Sequence, residues 1–83
     1  MDAMLNVTWN GQNGELPDSV DYDSTDEELI RLAAEAVTTG SIPGIEATPD
    51  VDLQDFVVDR YMANEAEGLP ARVFIRPKTP FGG

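Results

Sequence analysis

The stretch from Ser24 to Gly40 narrows the possible folds more than any other part of this chain. Ser24 and Thr25 can each cap a helix, and each has a glutamate three residues on, Glu27 and Glu28, in the capping-box arrangement. Acidic residues at that end complement the helix dipole. Leu29, Leu32, Ala33, Ala36 and Val37 follow at three- and four-residue intervals, and Thr38, Thr39 and Gly40 stop the run. The spacing gives a helix with a single apolar stripe, so the rest of the chain has to supply one layer to cover it, and the strand-like segments on either side predict a sheet. Leu29, Leu32 and Val37 are expected to be buried against that sheet, and truncating Leu32 to alanine is expected to cost roughly 2–5 kcal/mol.

The sheet can be read from alternation. From Met4 to Trp9, Leu5, Val7 and Trp9 share one parity and Asn6 and Thr8 the other, as in a strand half-buried against a core. Asn10-Gly11-Gln12-Asn13-Gly14 contains two Asn-Gly pairs, the residue types that accept positive φ in hairpin turns. Glu15 to Tyr22 reads as the return strand, with Leu16, Val20 and Tyr22 on one side and Pro17 favouring an edge or a bulge. Ser41 to Asp50, with Pro43, Gly44 and Pro49, reads as a connection without regular structure. Val51 to Met62 fits both a helix face and a strand; one helical turn near Leu53 followed by a strand from about Phe56 to Met62 is the favoured reading. A polar loop, Ala63 to Pro70, precedes a last strand, Ala71 to Arg76, in which Ala71, Val73 and Ile75 alternate with Arg72, Phe74 and Arg76. Phe74 is left with two readings, an exposed aromatic in a partner-binding patch that includes Arg72, or a ring packed under the Ala63 to Pro70 loop.

Composition excludes several functions. Cysteine and histidine are both absent, which removes disulfides, thiol nucleophiles, the usual zinc ligands and the usual general base together. A chain of 83 residues has little room for a buried active site beside its core, so the expectation is that the protein is not an enzyme and has no catalytic residues or metal of its own. Asp18, Asp21, Asp23 and Asp26 lack the glycine and terminal glutamate of a calcium loop and read as capping and solvated residues. A net charge of −11 argues against nucleic acid and anionic membranes, and it serves either solubility or the steering of basic partners. With no membrane-spanning run and no secretion signal, the expected location is the cytoplasm.

After the last strand comes Pro77-Lys78-Thr79-Pro80-Phe81-Gly82-Gly83, in which two prolines remove backbone donors and bias the path to an extended one. The expected organisation is therefore a folded domain over 1–76 and a flexible tail over 77–83. Hairpin, capped amphipathic helix, Gly-Pro connection, further strands and a diglycine end occur here in the order that ubiquitin uses. Gly40-Ser41-Ile42-Pro43 is similar to ubiquitin's Gly-Ile-Pro segment after its helix, and Leu53-Gln54-Asp55-Phe56 to its Leu-Ser-Asp-Tyr turn. The ending from Val73 to Gly83 resembles the small ubiquitin-like proteins of bacterial conjugation operons. Three departures stand out: between the helix and Leu53 there is too little chain for both middle strands of ubiquitin, the Ala63 to Pro70 loop has no close counterpart, and where ubiquitin's tail is basic and flexible this one has two prolines and Phe81, so an activating enzyme would need a differently shaped channel.

The resemblance implies an α+β, β-grasp fold and a ubiquitin-like protein modifier, monomeric and without a cofactor of its own. ATP would be used by a partner activating enzyme, which adenylates the carboxylate of Gly83 and passes it to a thiol. Gly82 and Gly83 suit a narrow channel because neither has a Cβ to obstruct attack on the carbonyl. Arg76, Lys78, Pro80 and Phe81 would be the tail residues that the enzyme grips. Further partners would be a conjugating enzyme, a deconjugating protease and target proteins. Two alternatives stay open: a sulfur carrier, whose adenylated end becomes a thiocarboxylate, and a noncovalent adaptor that binds through Phe74 and its neighbours on the sheet.

Overall fold

The computed structural model describes residues 1–78. Its elements are β1 (Asp2–Trp9), β2 (Gln12–Glu15), β3 (Val20–Asp21), α1 (Asp26–Thr39), β4 (Val57–Tyr61), a 3-10 turn at Glu65–Glu67, and β5 (Ala71–Arg76). The result is an α+β fold in which one helix covers one face of a five-stranded mixed sheet. Along the sheet the order is β2-β1-β5-β4, with β3 also paired to β1. β1 and β5 run parallel at the centre, from Ala3 opposite Ala71 to Val7 opposite Ile75, and β4 lies antiparallel on the far side of β5.

Local chemistry accounts for these elements. Asn10 and Gly11 both have positive φ, 50° and 76°, so the first Asn-Gly pair makes the two-residue turn whose twist matches a hairpin. The second pair does not turn the chain: Asn13 and Gly14 lie within β2, opposite Thr8 and Val7. Gly14 serves close approach instead, because a Cβ there would fall well inside contact distance of the Pro43 carbonyl oxygen and 2.7 Å from Ile42 Cγ2. The return strand is broken as Pro17 suggests. Leu16 N still donates to Leu5 O at 2.9 Å, but Val20 then faces Ala3, so five steps from Glu15 to Val20 match three on β1 and two extra residues are accommodated around Pro17–Ser19.

Thr25, rather than Ser24, caps α1: its hydroxyl accepts from Glu28 N at 3.2 Å and lies 3.0 Å from Glu28 Oε1. Gly40, at φ 71°, closes the other end, with its own N–H and that of Ser41 returned to Val37 O and Ala36 O. The buried face consists of Leu29, Ala33, Ala36 and Val37. Leu32 departs from expectation, since it is 38% exposed whereas Leu29 is 1% exposed. At ~100° per residue, Leu32 sits about 85° from the centre of the arc that the other four define, on the shoulder of the helix.

The core is closed by the inward residues of the central strands, Leu5, Val7, Val73 and Ile75, each 0% exposed, together with Ile42, Ile45 and Leu53 from the connection after α1. In the two-way segment the strand reading prevails over residues 57–61, and the expected helical turn near Leu53 is a single tight turn at Gln54–Asp55. Phe56 N bonds Leu53 O at 3.0 Å and Gln54 N bonds Asp52 Oδ1 at 3.0 Å, which ends the turn before a helix can grow. Trp9 and Phe56 pack together at one end of the core with ring centroids 5.9 Å apart. The Ala63 to Pro70 loop is more ordered than a plain connection, pinned by a bridge between Asn64 and Leu69 around the 3-10 turn. Among the described residues no helix is long and apolar enough to cross a membrane.

Candidate functional site

Alternation along β5 divides its residues between two tasks. Ala71, Val73 and Ile75 are buried under the helix, which leaves Arg72, Phe74 and Arg76 on the open face of the sheet. The antiparallel register of β4 brings Tyr61 opposite Arg72 and Asp59 opposite Phe74 on that same face. On the other side of β5, Met4 is opposite Arg72 and Asn6 opposite Phe74. Strand pairing alone therefore gathers residues from three distant parts of the chain.

The side chains interlock there. Tyr61 and Phe74 meet edge to face, with centroids 5.3 Å apart. The Arg72 guanidinium carbon lies 5.4 Å from the Tyr61 ring centre and 5.8 Å from that of Phe74, within cation–π range of both. Arg76 Nε donates to Asp59 Oδ2 at 2.6 Å, so the acid of this group is paired. Asn6, Thr8 and Asn13 form a hydrogen-bonded polar border: Asn13 Nδ2 donates to Asn6 Oδ1 at 2.7 Å and to Thr8 Oγ1 at 2.9 Å, and Asn6 Nδ2 donates to Asn13 Oδ1 at 3.1 Å. Border and aromatic group together enclose an open concavity of about 520 Å³.

Arg72 and Phe74 are thus brought together, and Phe74 stands on the open sheet face against Tyr61. Sequence reasoning missed Tyr61, Asp59 and the Asn6–Asn13 pair as members of the same surface. The outward parity of β4 and the register of the first hairpin are the signals that carry them. Of the tail residues, Arg76 is tied to Asp59 and Lys78 is exposed. Pro80, Phe81, Gly82 and Gly83 lie outside the described residues.

Another cation is structural. Arg60 points to the helix side, where Nη1 donates to Tyr22 O at 2.7 Å and Nη2 pairs with Asp26, stitching β4 to the start of α1. Asp21, in the acidic stretch before the helix, accepts from Asp23 N and lies 3.8 Å from the N-terminal amine. No group of three or more metal-ligating side chains occurs among the described residues. In comparisons with known proteins, no family model, no curated protein and no solved structure matches this chain.

Proposed function

We propose that this chain is a ubiquitin-like β-grasp modifier, activated at the carboxylate of Gly83 and transferred to target proteins. One observation carries most weight: β5 is held on both sides, by parallel β1 and antiparallel β4, and leads directly into exposed Pro77 and Lys78 and then the diglycine end. A strand so anchored can present the residues after it while the body stays folded. A hairpin, then a capped helix, then further strands is the element order on which the sequence resemblance to ubiquitin rests. The reactions follow from that reading. The Gly83 carboxylate attacks the α-phosphate of ATP with loss of pyrophosphate, a thiolate of the activating enzyme displaces AMP, and a target amine then displaces the thiol.

The noncovalent adaptor reading draws on a different observation, the aromatic and arginine group on the open sheet face. The two are separable by deleting Gly82 and Gly83. With a cognate activating enzyme and ATP, the full chain is expected to form an adenylate and then a thioester, and the shortened chain neither. Equal activity of the shortened chain refutes carboxyl-terminal activation, and a thiocarboxylate product in place of a thioester assigns the chain as a sulfur carrier.

A further inference from the structure

We infer that the open face of the sheet binds a peptide segment that presents a carboxylate beside an aromatic or aliphatic residue, with Arg72 as the carboxylate anchor. The inference concerns the body of the protein and does not depend on chemistry at Gly83. It begins from how the cations are used. Arg60 is committed to Tyr22 O and Asp26, and Arg76 to Asp59. Arg72 has no ion pair among the described residues, and its Nε is shut from water without a hydrogen-bond partner. Nε is out of a ligand's reach as well, so what the side chain offers is its two terminal nitrogens, for which no hydrogen bond is found among the described residues. Two acids stand two positions away in register: Asp59 on β4 is already taken, and Asp2 on β1 makes no ion pair with Arg72.

The guanidinium is held all the same. Both the Tyr61 and Phe74 rings lie within cation–π range of it, and Met4, 39% exposed, is opposite Arg72 on β1. Fixing a planar fork before a ligand arrives lowers the ordering cost of binding, and a carboxylate is the group that a fork accepts through two parallel hydrogen bonds. Exposed Tyr61, 48% accessible, and Met4 give the apolar neighbour of that carboxylate a place to pack.

Charge complementarity selects the occupant. Arg72 is the charge this face leaves unspent, since Arg76 is offset by Asp59 and Lys78 lies beyond the end of β5. At physiological ionic strength, charges more than about 8 Å apart are largely screened, and a segment with one or two carboxylates that docks beside Arg72 meets mainly that charge. A nucleic acid needs several phosphates neutralised at once and would meet the −11 charge along its length, so the peptide is favoured over an oligonucleotide.

The test pans a random peptide library against the full chain, with depletion on Arg72→Gln. Enriched sequences are expected to place Asp or Glu next to Phe, Tyr, Leu or Met. A synthetic consensus peptide should shift the backbone amide resonances of Asn6, Tyr61 and Phe74. It should bind Arg72→Gln about tenfold more weakly or worse, as expected for loss of a charge-assisted pair. The same peptide with its carboxylates replaced by amides should lose a similar factor. Thermal unfolding of Arg72→Gln near that of the parent excludes misfolding as the cause, and Phe74→Leu, which keeps an apolar side chain, provides a second weakened variant. Deleting Gly82 and Gly83 should leave this binding unchanged even where it abolishes activation. Equal binding of the amide peptide, a basic consensus, no enrichment, or tighter binding of a short oligothymidylate overturns the inference. Binding seen only after residues 79–83 are removed overturns it also, since the occupant is then the chain's own end.

Discussion

Leu29 and Leu32 are the same residue three positions apart in one helix, and the structure assigns them opposite consequences. Leu29 is 1% exposed in the core, so Leu29→Ala removes buried apolar surface and leaves a cavity, at a cost of roughly 2–5 kcal/mol. Leu32 is 38% exposed on the helix shoulder, and solvent can fill the space that truncation opens. With no closed cavity and part of the transfer energy absent from the start, Leu32→Ala should cost at most about 1 kcal/mol. Alanine's better helix propensity offsets a few tenths of that in both variants and cancels in the comparison. Urea unfolding followed by fluorescence of Trp9, the single tryptophan, measures the two losses, because Trp9 packs against Phe56 at the core's end. The slopes of the unfolding curves should agree with the parent, which keeps the midpoints comparable. For a domain of this size, each kcal/mol moves the melting temperature by about 4–8 °C, so thermal scans should separate the variants clearly. Losses that agree within about 0.5 kcal/mol, or a larger loss at Leu32, would refute the assigned helix rotation.

Three further outcomes are expected. Thr25→Ala should destabilise by about 1 kcal/mol by denuding Glu28 N, while Ser24→Ala should change little, and denaturant midpoints distinguish them. Gly14→Ala should cost about 1–3 kcal/mol, because the added methyl forces the Ile42–Pro43 backbone away from β2; hydrogen exchange should then rise there and in β2. Lys78 is the sole lysine and stands five positions before Gly83, so on the proposed modifier reading a second copy joined there would occupy the segment that an activating enzyme would hold. Mass spectrometry of conjugates should find single copies on targets, and abundant branched peptides joining Gly83 to Lys78 would contradict this.

Patterns that depend on neighbours in sequence were legible. β5 spans Ala71–Arg76 as its alternation required, α1 begins and ends at residues chosen for capping, and the break near Pro17 appears where a missing donor and a bulge were expected. What failed was information that only the partner surface holds. Leu32 satisfies the same three- and four-residue spacing as the buried stripe, and only the position of the sheet decides which edge of that stripe is left open. Gly14 has the sequence signature of a turn, yet its role is set by a loop about thirty residues away pressing on β2. In segment 51–62, where a turn near Leu53 and then a strand was the favoured reading, the structure has a tight turn closed by the Asp52 carboxylate and the Leu53 carbonyl and a strand paired with β5.

The open-face surface was half legible for the same reason. Arg72 and Phe74 follow from the parity of their own strand, whereas Tyr61, Asp59, Met4 and Asn6 join them only through register with two other strands. That origin makes binding and folding separable by mutation. Outward residues of β5 contribute to stability mainly through cross-strand pairs, about 0.2–1 kcal/mol each, while the inward Val73 and Ile75, 0% exposed, carry core energies several times larger. Substitutions at Arg72 or Phe74 can therefore remove recognition while leaving the body folded, and substitutions at Val73 or Ile75 should remove both together. A loss of binding at Arg72 with an unchanged melting temperature is a statement about the surface, because the strand that bears it is held from its other face.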